Sequence, residues 1–176
     1  MITPPPLRIA LCQIPICMGD KAANVAEIRR AIEAAAKSRS DIVVLPECVL
    51  AGWLSSAAAE IAESIPGPFT EQLASLAREH QIAIAVGIEE RCSETIFNSA
   101  ILIDHCGHIL LHHRKINELE IARSLYSTGT SLEVARLDGH PIALTICADS
   151  WRPEITDALH LMGARGRPAG LHLLQR

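Results

Sequence analysis

Apolar runs alternate with amphipathic stretches through the first half of the chain. Leu7-Arg8-Ile9-Ala10-Leu11-Cys12-Gln13-Ile14 predicts a first strand, mostly apolar and so buried on both faces. Gly19-Asp20 predicts a helix start. Asn24, Ile28, Ile32 and Ala35 then recur at helical spacing through about Lys37. Asp41-Ile42-Val43-Val44-Leu45 predicts a second buried strand, stopped by Pro46, which has no N–H to give to a ladder. Residues 57–63 are Ala-rich and read as a short helix, and Pro66-Gly67-Pro68 breaks the pattern. Residues 69–80 read as a helix with Thr70, Leu73, Leu76 and Ala77 on one face.

In the second half the period shortens. Residues 82–88, 97–104 and 109–113 read as strands. The last two are joined by His105-Cys106-Gly107-His108, a hairpin turn. Residues 117–125 predict a short helix. Residues 132–136 and 141–146 predict a further hairpin, turning at Asp138-Gly139. A last helix is expected from Pro153 to Met162, ending at Gly163. Strands alternating with helices, then hairpins, predict an α/β fold: a mixed sheet with helices on its faces. Residues 1–164 read as one domain. Residues 165–176 read as a divergent, loosely ordered tail, in which Leu171-His172-Leu173-Leu174 has no clear partner.

Composition narrows the function classes. Of the 176 residues, 49% are hydrophobic and 20% charged, as in a globular chain with a real core. A net charge of -4 and 3% aromatic residues give no basic patch and no stacking platform, so no nucleic-acid partner is expected. The apolar stretch 7–18 is short and interrupted by Arg8, Gln13 and Pro15, so no leader or membrane span is expected. Six irregularly spaced cysteines without a CxxC pair fit reduced thiols in a cytoplasm.

Three polar residues follow apolar strands. Pro141-Ile142-Ala143-Leu144-Thr145-Ile146 runs into Cys147, and Pro153-Glu154 opens a helix six residues later. A cysteine at a strand end, near a helix N-terminus, is placed for a thiolate. The plainer reading is a small buried hydrophobe. In Leu45-Pro46-Glu47-Cys48, Glu47 sits where α/β sheets bind ligands, or is a solvated turn acid. In His112-His113-Arg114-Lys115, Lys115 ends a strand, or belongs to a charged edge that blocks association. His112 and His113 are a poor metal-chelating pair, since neighbours on a strand face opposite sides, and no metal is expected.

Taken together the three suit acyl transfer to sulfur. Glu47 would take the thiol proton and later activate water. Cys147 would attack a carbonyl or nitrile carbon. Lys115 and the backbone N–H of Ala148 would hold the oxyanion. A redox reading pairs Cys147 with Cys48 as a resolving thiol.

These residues carry a resemblance. Leu45-Pro46-Glu47, His113-Arg114-Lys115-Ile116-Asn117, and Ile146-Cys147-Ala148-Asp149 with Pro153-Glu154 stand in the order found in the nitrilase superfamily, the carbon-nitrogen hydrolases. Cys12-Gln13 and Phe97-Asn98-Ser99-Ala100 also resemble that family, and the match covers roughly residues 7–164. The resemblance implies a nitrilase-like α-β-β-α sandwich with a Glu47, Lys115, Cys147 triad. It implies hydrolysis of small amides, N-carbamoyl compounds or nitriles, with no metal and no organic cofactor. It also implies a second glutamate after the lysine, for which Glu120 is the candidate, with Glu118 beside it. The family's domain is longer, so the fold is expected to be incomplete at its C-terminus. Open sheet edges and uncovered apolar faces would then favour homo-oligomers. The alternative function is a catalytically inactive remnant serving as a binding or assembly module.

Overall fold

The computed structural model describes residues 4–164 in full and the backbone of residues 171–173. Its centre is a five-stranded sheet of β1 (Ile9–Leu11), β2 (Ile42–Val44), β3 (Ala83–Cys92), β4 (Thr95–Ile103) and β5 (Ile109–Arg114), in that order. The first three strands run parallel, while β4 and β5 continue as an antiparallel meander. The parallel pairs are joined by α1 (Lys21–Lys37) and α3 (Pro68–His80), and a single turn, α2 (Ala58–Ile61), precedes α3.

Helix ends follow local chemistry. The Asp20 side chain accepts from the Ala23 N–H at 3.0 Å and caps α1. Pro68 occupies the first turn of α3, where its missing N–H costs nothing. Side-chain alternation along the strands then splits the core in two. Val43, Ile84, Val86, Ile101 and Ile103 meet Ile28, Ile32, Phe69 and Leu73 of the helices. Ile42, Val44, Ala83, Ala85, Ala100 and Leu102 face the other way, onto Leu137, Ile142, Leu144 and Ile146.

That second layer consists of β6 (Ala135–Leu137), β7 (His140–Ile142), β8 (Leu144–Ile146) and β9 (Leu171–Leu173). β6 and β7 form a hairpin, and β8 and β9 pair in parallel. On its far side α4 (Pro153–Leu161) packs Ile155 and Leu159 against Ala143, with Ile116, Leu132 and Val134 alongside. The order is therefore helices, sheet, sheet, helix: the α-β-β-α sandwich that the family resemblance implied.

Several local expectations are corrected. β1 is an edge strand, not one buried on both faces; among the described residues only β2 pairs with it, and Ile9 and Leu11 are 45% and 76% exposed. Residues 117–125 form no α-helix; one 3-10 turn, Glu120–Ala122, stands there. The expected strand over residues 141–146 is two strands, β7 and β8, because Leu144–Ile146 leaves the hairpin for a parallel partner. That partner is Leu171–Leu173, read from the sequence as having none, whereas residues 165–170 and 174–176 of the expected tail lie outside the described residues. No described helix is long and apolar enough to cross a membrane.

Candidate active site

Glu47 follows β2, and its backbone rests on β3. The Gly87 N–H donates to the Pro46 carbonyl at 3.0 Å, and the Val49 N–H to the Gly87 carbonyl at 3.0 Å. A Cβ at position 87 would lie 2.5 Å from the Glu47 Cα, so only glycine permits this approach. Asn98, on β4, donates its Nδ2–H to Glu47 Oε2 at 3.0 Å.

Lys115 follows β5, and its N–H continues the ladder to the Asn98 carbonyl at 2.9 Å. On its other side the Gly129 N–H donates to the Lys115 carbonyl at 2.8 Å; a Cβ on Gly129 would overlap the Arg114 carbonyl. The side chain is 1% exposed. Its Nζ lies 3.3 Å from Glu47 Oε2 and 3.1 Å from Glu118 Oε1. Burial works against the Lys115 charge, and the two carboxylates outweigh it, so the ammonium pKa lies above its ordinary value. The Trp53 ring lies 5.9 Å from the same ammonium.

Cys147 follows β8 and opens a single 3-10 turn, Cys147–Trp151. Its φ is 44°, in the left-handed region that a side chain occupies at a cost. The thiol is half-buried, close enough to Glu47 and Lys115 for both charges to act on it. Burial and the charge of Glu47 push its pKa up, and Lys115 and the Ala148 N–H pull it down without reversing the shift. The expected resting thiolate, favoured by a helix dipole, is thereby corrected. The turn at Cys147 is too short to carry a large dipole, and the neighbouring carboxylate opposes a second negative charge.

Glu47, Lys115 and Cys147 thus converge, as three strand ends at one edge. Glu120 does not join them. Its side chain is 87% exposed and pairs with Arg123 at 2.9 Å. Glu118, fully buried, occupies the place beside Lys115 and also lies 3.4 Å from Asn98 Nδ2. The 3-10 turn that begins at Glu120 points that side chain outward, while Glu118 precedes the turn, three residues from the lysine. The periodicity expected of an α-helix over residues 117–125 does not distinguish the two.

Asn98, His113 and Asp149 have no role that the sequence motifs assign. Asn98 bridges Glu47 and Glu118 through one NH2 group. His113 and Asp149 are buried and bonded at 2.8 Å. His112 faces the opposite side, bonding Glu90 at 2.9 Å, as strand alternation requires. Among the described residues no group of three His, Cys, Asp or Glu side chains is placed to hold a metal ion. Cys48 is fully buried beside the Tyr126 hydroxyl, and burial with the charges of Glu89 and Glu47 lifts its pKa well up. A resolving cysteine has to attack as a thiolate, which this burial and these charges oppose.

Comparison with known proteins adds the family. A model described as carbon-nitrogen hydrolase matches residues 8–166. An (R)-stereoselective amidase from a Pseudomonas species is 31% identical over 159 residues, covering 90% of this chain and 57% of the amidase. An aliphatic nitrilase from Rhodococcus rhodochrous is 26% identical over 146 residues, covering 74% of this chain and 40% of the nitrilase. Among solved structures, a mutant of the amidase from Nesterenkonia sp. AN1 matches with a TM-score of 0.81 at 23% identity, covering 90% of this chain and 64% of that one. In that structure acrylamide has added to the active-site cysteine. The likeness to it is one of fold. The chain spans about half the length of the curated relatives it matches.

Proposed function

The chain belongs to the carbon-nitrogen hydrolase family, and from that premise we propose that it hydrolyses small amides, N-carbamoyl compounds or nitriles through an acyl-enzyme on Cys147. The observation that carries this reading is the buried contact of Lys115 with Glu47 and Glu118, with the half-buried Cys147 thiol within reach of the charges of Glu47 and Lys115.

For an amide the steps balance as follows. Glu47 takes the Cys147 proton as sulfur attacks the carbonyl carbon. The carbonyl oxygen becomes an oxyanion, held by the Lys115 ammonium and the Ala148 N–H. Glu47 returns its proton to the nitrogen, the C–N bond breaks, and ammonia or an amine leaves a thioester. Water then attacks the thioester and gives its proton to Glu47. The carboxylic acid leaves and the thiol is restored. A thiol that is protonated at rest suits this cycle, because Glu47 removes the proton only as the C–S bond forms. Glu118 keeps Lys115 charged throughout.

We further infer reduced thiols in a cytoplasmic setting and self-association. All six cysteines are free, and Trp151, Leu161 and Met162 present apolar surface around α4. The same exposed surface favours a second reading, an assembly module without turnover.

Both readings are tested by limiting iodoacetamide with intact-mass readout across pH 5 to 9, followed by ammonia release from a panel of short amides. The hydrolase reading expects one preferential label, absent in Cys147→Ala, because Glu47 takes the thiol proton as sulfur attacks iodoacetamide just as it does for an amide, and ammonia release that the same substitution abolishes. Uniform slow labelling of all six cysteines, or turnover retained in Cys147→Ala, would sink it.

A further inference from the structure

Three loops must meet at the proposed site, and one buried carboxylate joins two of them. Asp149 is fully buried. Its Oδ1 accepts from the backbone N–H of Ile116 at 3.1 Å and of Asn117 at 2.8 Å. Its Oδ2 accepts from the backbone N–H of Ile146 at 3.1 Å and pairs with His113 Nε2 at 2.8 Å. Each of these partners lies within two residues of Lys115, or adjoins Cys147. The clasp is returned: Asn117 donates its Nδ2–H to the Ala148 carbonyl at 2.6 Å and accepts from Arg152 Nε at 3.3 Å.

From this geometry, and resting on the acyl-enzyme reading above, we infer that Asp149 is a positioning residue. It holds the Lys115 loop in register with the Cys147 elbow, so that ammonium and thiol face one reacting carbon. The physical ground is the backbone at Cys147. A non-glycine residue at φ 44° persists only when its surroundings over-determine it. The β8 ladder fixes the chain before Cys147. After it, the Asp149 carboxylate reaches back to the Ile146 N–H and closes the turn. The same carboxylate takes the two N–H groups that follow Lys115. Displacing it moves both groups at once, and displacement of a reacting group by about 1 Å costs about 100-fold in rate.

Asp149→Asn keeps the shape but replaces one acceptor oxygen by an NH2 group. If that NH2 takes the Oδ2 side, it meets the Ile146 N–H donor to donor; if it takes the other, it meets those of Ile116 and Asn117. Either way an orphaned N–H remains at one of the two loops. Asn117→Ala is the milder variant, since it leaves the backbone bonds to Asp149 and removes only the return bond to Ala148. Leu73→Ala, in the helical layer, serves as a control for general destabilisation.

The test is the rate of Cys147 alkylation by iodoacetamide at a temperature where every variant is folded, with kcat and KM on whichever short amide the wild type turns over. The expected result is a loss of about 100-fold in kcat for Asp149→Asn, with KM little changed and Cys147 alkylation altered. Asn117→Ala should shift the same way by less, and Leu73→Ala should leave per-molecule rates unchanged. Wild-type rates in Asp149→Asn, or equal losses in Leu73→Ala, overturn the assignment. A wild-type protein in which Cys147 is not preferentially labelled removes the acyl-enzyme reading, and the clasp's role with it. If Asp149→Asn does not fold, wild-type rates in Asn117→Ala overturn the role by themselves.

Discussion

Lys115 keeps its charge although its side chain is buried, because two carboxylates share it. Isolated burial of an ammonium would drive its pKa down, and the pair drives it up. Three predictions belong to this scale. Cys147→Ala abolishes turnover and spares the fold, checked by amide hydrolysis beside a thermal melt. Lys115→Ala lowers kcat by about 100- to 1,000-fold, the usual loss for one oxyanion donor. Glu118→Gln costs activity, because the Lys115 ammonium loses a charged partner at 3.1 Å, while Glu120→Gln stays near wild type because its carboxylate faces solvent. Steady-state kinetics on the two glutamine variants decide between these glutamates directly.

At the scale of elements, β3 does two jobs. It is the central strand of the main sheet, and through Gly87 it presses against the chain at Glu47. Gly87→Ala places a methyl 2.5 Å from the Glu47 Cα. One of the two strands must then move, and activity falls more than stability does. Paired measurements of kcat and melting temperature test this; equal wild-type values for both would refute it. By contrast β1 is an edge, so Leu11→Lys, on its exposed side, changes stability by no more than about 0.5 kcal/mol. Leu73→Ala, in the core between α1, α3 and the sheet, costs about 2–5 kcal/mol by chemical denaturation.

At the scale of the whole molecule, a strong acid-sensitive link stands outside the site. Glu90 on β3 accepts from Arg114 at 2.8 and 2.5 Å, from Ser99 at 2.6 Å, and bonds His112 at 2.9 Å. Burial works to raise its carboxyl, but these bonds outweigh it and hold the pKa down to about 2. A depressed folded-state pKa gives stability that is present above the ordinary value of 4.5 and is lost as pH falls toward 2. Denaturation midpoints should therefore drop from pH 5 to pH 3. In Glu90→Gln this part of the dependence should vanish, leaving a lower midpoint at neutral pH. Arg114 also stacks over Phe97 at 4.0 Å, so the link ties β3, β4 and β5 together beside Lys115.

What the sequence determined by itself was the local order: helical periodicity from Asn24 to Ala35, buried strands around Val43 and Ile84, and polar residues placed immediately after apolar runs at Glu47, Lys115 and Cys147. These features rest on neighbours in the chain, and period and strand-end position are readable from neighbours alone. What only the tertiary structure decided rests on partners far along the chain. Which glutamate meets Lys115 depended on where a 3-10 turn began. Whether β1 was covered depended on its having, among the described residues, one neighbouring strand. The role of Asp149 depended on three N–H groups and a histidine brought from β5, its following loop and β8. The raised pKa of Cys147 depended on its burial and on Glu47 arriving beside it, a hundred residues away in sequence. Long-range pairing sets burial and charge environment, and those two quantities, not residue type, decide which polar groups do chemistry.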